Sequence, residues 1–150
     1  MDENDVWFLL LKDHRIIAKQ LYELKKSIES GCEDCIEKLK KFKWSLERHF
    51  FIEEKFLYTD YTPIDSEDSE MINDVLRQHE SVLKSLKELE KNMTSDSNTI
   101  KNSIKALQKE LMEHKGFEDN ILYPKLEDEF KDQKKRFLLE KLKEELLKSS

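Results

Sequence analysis

Four histidines occur in the chain, and two of them open nearly the same phrase: HFFIEEKFLY at 49–58 and HKGFEDNILY at 114–123. Each phrase sets a glutamate four residues after its histidine, Glu53 after His49 and Glu118 after His114. On a helix that spacing puts both side chains on one face, where they can reach a common centre. The other two histidines, His14 and His79, interrupt otherwise apolar stripes, one ahead of each phrase. Imidazole with carboxylate suits iron, manganese or zinc. Two glutamates could bridge two ions while two imidazoles cap each one. Carboxylate bridging inside a four-helix bundle points to iron first, with manganese or zinc as alternatives. Such a donor set leaves positions open for water, O2, peroxide, NO or an oxo or hydroxo bridge. Glu54, Asp119, Tyr58 and Tyr123 recur beside the ligands and are candidates for orienting them; exposed acids and helix-end aromatics would explain them as well.

The elements that must position these groups are legible as a repeat. Trp7, Leu10, His14, Ile17, Leu21, Leu24 and Ile28 follow steps of three and four; 65 residues later stand Ile72, Val75, His79, Val82, Leu86, Leu89 and Met93. The register continues from Leu39, Phe42, Leu46 and His49 to Ile104, Leu107, Leu111 and His114, then from Glu53 and Tyr58 to Glu118 and Tyr123. Such steps mark one stripe of an α-helix. The expectation is an all-α, up-down-up-down four-helix bundle of two pseudo-symmetric hairpins, with a fifth helix after it.

Boundaries follow from caps and breakers. The first helix should run from about Asp5 to Ser30 and stop at Gly31; the second should run from about Asp34 to Tyr58. TDYTPIDSEDS at 59–69 reads as a loop, and the third helix spans about Glu67 to Asn92. TSDSN at 94–98 reads as a turn ending in an N-cap. The fourth helix spans about Thr99 to Tyr123, where Pro124 stops or kinks it. Residues 1–125 would form the bundle and 126–150 an amphipathic helix, with Phe130, Phe137, Leu138, Leu142 and Leu146 on one side. That helix should dock on the bundle, a homodimer contact being the alternative.

Short turns make neighbouring helices antiparallel. Folding about residues 32–33 brings residue 14 level with about residue 51, between His49 and Glu53; folding about 97–98 does the same for His79 against His114 and Glu118. Six groups should therefore meet in one layer. A lone histidine on an apolar stripe is ordinarily a hydrogen-bonded core residue. All four in one register favour a metal centre, because buried His and Glu are costly without partners.

With His14, the His49/Glu53 pair and Glu54, His79, and the His114/Glu118 pair followed by Leu122-Tyr123-Pro124, the chain resembles the hemerythrin-like (HHE, cation-binding) domain over about residues 5–125. The resemblance implies an up-down-up-down bundle with a non-haem di-iron centre. Oxygen-carrying hemerythrins have a second histidine on the third helix where this chain has Leu83, and a longer histidine-to-aspartate spacing on the fourth where this chain has Glu118. The asymmetric five-histidine set that supports reversible O2 carriage is not reproduced. The pattern is similar to hemerythrin-like proteins of oxidant, NO or iron responses. The leading functional expectation is a di-iron protein that binds or reacts with O2, peroxide or NO. Whether it turns that ligand over is left open. The alternative is an iron- or oxygen-responsive sensor or interaction module whose folding or partner binding depends on metal loading.

Composition bounds the rest. Among 150 residues there are only two glycines and two prolines, which favours long helices over a sheet-rich fold. Charged residues reach 40% but alternate in sign, as on solvated helix faces. A net charge of −6 argues against nucleic-acid or membrane-surface partners, and no apolar run reaches the roughly 20 residues of a membrane span. The expected location is the cytoplasm. Cys32 and Cys35, in a predicted turn with acids between them, are expected to be reduced, inert thiols; a redox disulfide or a shared intersubunit metal is the other option.

Overall fold

The computed structural model describes residues 5–58 and 66–146. Helix α1 (Val6–Glu29) is capped by Asp5, whose carboxylate accepts from the amides of Trp7 at 2.9 Å and Phe8 at 3.4 Å. Helix α2 (Cys35–Ile52) continues into a π-helical turn, Glu53–Tyr58. Helix α3 is Ser66–Asn92 and α4 is Ser97–Phe117, capped by Asp96, which accepts from Thr99 N at 2.9 Å. A second π-helical turn, Glu118–Leu122, joins α4 to α5 (Tyr123–Glu129), and α6 is Asp132–Leu146. Among the described residues there is no strand. The first four helices form the expected up-down-up-down bundle, with α6 as the additional C-terminal helix. The expected loop at 59–69 lies outside the described residues as far as residue 65; the rest of it is the first turn of α3.

The segmentation departs from expectation: the C-terminal helix expected over 126–150 begins only at Asp132, after a break that follows α5. Pro124 does not end the fourth helix; it sits in the first turn of α5, where a missing N–H costs little, and the chain stays helical to Glu129. The second helix keeps its expected span but changes winding at Glu53.

The cysteines correct a sequence expectation. Cys32 and Cys35 are joined as a disulfide rather than left as thiols. Gly31 at φ +104° and Cys32 at φ +67° turn the chain left-handedly out of α1, and Cys32 N donates to Ser27 O at 2.9 Å. That turn brings the two Cα atoms to 4.9 Å, inside the range a disulfide spans. The acids between the cysteines bear on thiolate stability, not on this proximity.

Two apolar clusters fill the bundle. One, around Leu24, Phe42, Leu86, Leu89 and Leu107, lies toward the hairpin turns. The other joins Val6, Trp7, Leu10, Ile52, Leu57, Leu122 and Leu126 to Leu138 and Leu142 of α6, while Phe137, expected on the same side, is exposed. Polar residues occupy the gap between the clusters. Among the described residues no helix is long and apolar enough to cross a membrane.

Candidate metal centre

Helix α1 carries His14 into the gap between the clusters, α2 carries His49 with Glu53 at its C-terminal end, α3 carries His79, and α4 carries His114 with Glu118. All six are buried, and neither glutamate keeps any exposed surface. The structure brings them into two groups of four: His14, His49, Glu53 and Glu118, and Glu53, His79, His114 and Glu118. Within each group the donor atoms lie within 4.8 Å of one another, and both groups contain both glutamates.

The Nε2 atoms of His49 and His79 stand 3.1 and 3.4 Å from Glu53 Oε1; those of His14 and His114 stand 3.1 and 3.0 Å from Glu118 Oε1. Close as they are, Nε2 of His49, His79 and His114 and Oε1 of both glutamates have no directed hydrogen bond, although all are buried. Orphaned polar atoms of this kind are rare in native interiors. Two ligands about 2.1 Å from one cation and at right angles to each other lie about 3 Å apart. The orphaned atoms therefore have the separations that ligands of a shared cation have, and the residues fit a metal.

Every Nδ1 is engaged instead. His14 Nδ1 is 2.8 Å from Asp119, His49 Nδ1 2.8 Å from Asp13, His79 Nδ1 3.1 Å from Glu54 and His114 Nδ1 2.8 Å from Gln78. Donation from Nδ1 to these partners fixes the ring and turns Nε2 inward, where it can coordinate once any proton on it is displaced, which is how metal-binding imidazoles are held. Glu54 and Asp119 were visible in the sequence as repeated acids. Asp13 and Gln78 were not, although a signal exists: each directly precedes a histidine, and the two are 65 residues apart.

The π turns place the tyrosines. Tyr58 and Tyr123 each stand five residues after a glutamate, one π-helical step. The Tyr58 hydroxyl stands 2.9 Å from Glu53 Oε2 and within reach of Glu118 Oε2, so its one proton can go to either, while Tyr123 donates to Glu53 Oε2. Each carboxylate thus turns one oxygen to imidazoles and the other to a phenol.

Electrostatics match this arrangement. Burial opposes charge on His49, yet Glu53 and Asp13 outweigh it and push the imidazole up to about 10. His79, likewise buried, is pushed up to about 11 by Glu118, Glu53 and Glu54. Burial would raise both glutamates, and Glu118 raises Glu53 further, but His49 beside Glu53, and the hydrogen bond with Glu53 together with His114 and His14 beside Glu118, outweigh this; both stand below the ordinary carboxylate range, Glu118 well below. Burial and the two carboxylates push the Tyr58 and Tyr123 phenols well above their ordinary value. The layer is a set of tightly held opposite charges that a cation can enter by displacing protons.

Comparison with known proteins agrees with the geometry. No curated protein and no solved structure matches the chain. The family described as the hemerythrin HHE cation binding domain matches residues 5–126, and again residues 70–147, the second match beginning in α3 as the internal repeat would have it. The chain belongs to the hemerythrin HHE cation-binding family and is a metal-binding, hemerythrin-like helical bundle.

Proposed function

We propose that the layer holds two non-haem iron ions, His14 and His49 on one, His79 and His114 on the other, with Glu53 and Glu118 shared between them. On this reading the protein binds or reacts with a small ligand: O2, peroxide or NO. The observation that carries it is the overlap of the two four-donor groups in both glutamates. Shared carboxylates between pairs of imidazoles are the arrangement expected of a two-metal site. Iron so held supplies open coordination positions and a redox couple.

The protein's own groups have separate tasks. Glu53 and Glu118 offset the cations' charge inside a water-excluding layer. Tyr58 and Tyr123 donate to the outward carboxylate oxygens, which holds each glutamate's orientation. Asp13, Glu54, Gln78 and Asp119 hold the rings, and the apolar clusters on both sides keep solvent out. Iron-loaded protein, reduced without air and then exposed separately to O2, peroxide and NO, tests the reading. A change in the absorption spectrum with at least one of them is expected; none with any would contradict it.

A further inference from the structure

The two halves of the bundle differ where one covers its histidine and the other does not. In the first half Phe50 lies flat on His79, with ring centroids 3.8 Å apart and an interplanar angle of 11°. The residue 65 positions later, where the repeat would place a ring over His14, is Lys115. Leu83 on α3 packs against the core, whereas its counterpart on α1 is the exposed Ala18. Two bulky groups that close the α2–α3 side are thus missing from the α1–α4 side.

A cavity of about 180 Å³ stands at that place. Ala18 and Lys115 line it, and so do His14, His49 and His114. Its remaining walls are largely apolar, with Ile17, Leu21, Leu46 and Phe50 among them. An apolar cavity of about 150 Å³ in another protein stays dry and takes up benzene, while a water molecule's share of liquid volume is about 30 Å³. A diatomic ligand would leave most of this space empty. The space lies where the α1–α4 side lacks the phenyl ring and branched alkyl group of the α2–α3 side.

We propose that this cavity binds an organic molecule of about one ring or a short alkyl chain, bearing one terminal hydroxyl or hydroperoxyl group directed at the metal centre. The apolar walls recognise the body. Apart from Gln108 and Lys115, the imidazole edge is the polar part of the lining, so the oxygen belongs there. The identity of the head group rests on the proposed metal centre; recognition of the body does not.

The test uses metal-loaded protein whose metal content has been measured. Fluorine NMR follows two probes, fluorobenzene and para-fluorobenzyl alcohol. Both should bind, the alcohol roughly tenfold or more tightly than the hydrocarbon. The double variant Ala18→Leu/Lys115→Phe gives the α1–α4 side the residues of the α2–α3 side. It should keep its metal and lose either probe by roughly tenfold or more. Ala18→Leu alone, at an exposed helix position, serves if the double variant does not fold. Metal bound with neither probe taken up, or equal binding to wild type and filled variants, would overturn the proposal. A chain that takes up no metal but binds both probes equally would refute the metal centre and the head-group assignment, while loss of binding in the filled variants would still support the cavity.

Discussion

Asp13 and Gln78 stand at the same place in the two halves of the molecule, 65 residues apart, and each holds the Nδ1 of a histidine at 2.8 Å, yet only Asp13 carries a charge. Asp13 is buried, and although burial opposes it, His49 and Arg48 keep its carboxyl below the ordinary range. Its counterpart is a neutral amide. The near-symmetric layer therefore contains an electrostatic inequality between His49 and His114.

That inequality predicts stepwise metal uptake. A charged partner makes an imidazole a better donor, and such partners are worth about 10- to 100-fold in metal affinity. The His14/His49 position should fill first. Asp13→Asn should weaken the first step by about tenfold, and Gln78→Glu should strengthen the second by a similar factor. Calorimetric titration of metal-free protein with ferrous iron under anaerobic conditions resolves the two steps. Identical steps in wild type would show that the two partners are equivalent in effect.

Loss of a histidine and loss of a glutamate should differ in kind. His49→Ala removes a donor from one group only, whereas Glu53→Ala removes a donor from both. The first should leave one tightly held ion per chain and the second none. Elemental analysis after gel filtration counts them. Equal losses would mean that Glu53 is not shared.

Metal uptake should release protons. The folded-state values of His49 and His79, about 10 and about 11, lie above the unfolded value, so both rings are protonated in metal-free protein at pH 7. Their contribution to the metal-free fold is complete below about pH 6.5 and is lost as pH rises through about 10 and 11. Metal binding runs the other way, because each ring must shed its proton to coordinate. Affinity should therefore rise with pH across the neutral range, with about two protons released at pH 7. Calorimetry in buffers of different ionisation enthalpy measures the release; pH-independent affinity would contradict it.

The disulfide should matter to the fold and not to the metal. Cys32 lies 18 residues along the chain from His14, beyond about 22 Å of helix that ends at Glu29. By loop-closure entropy, a ring this small stabilises by about 2 kcal/mol. Cys35→Ser should lower unfolding free energy by about that amount and leave metal content unchanged. Urea unfolding and metal analysis on the same preparation decide it.

Much of the site was legible because duplication writes the same constraint twice. One histidine on an apolar stripe says little; His14, His49, His79 and His114 in a single register fix four helices, their order and their common level. Glu54 and Asp119 were legible as repeated acids for the same reason. The repeat was equally a guide to Asp13 and Gln78, but their unlike side chains hid the equivalence. The π turns escaped because apolar periodicity barely registers one wider turn, even though the five-residue step from Glu53 to Tyr58 and from Glu118 to Tyr123 is its trace. The disulfide depended on two left-handed backbone angles at Gly31 and Cys32, and only Gly31 announces such a conformation by its residue type. The cavity arises from what Ala18 and Lys115 fail to fill, a property of the packed molecule rather than of any stripe.

X-ray absorption at the iron edge, on protein loaded with iron and freed of excess, puts the greatest strain on this account. Two irons per chain with a metal–metal vector of about 3.5 to 4 Å is the predicted result. A single iron, or two with no scattering from one another, would mean that Glu53 and Glu118 are not shared between neighbouring cations.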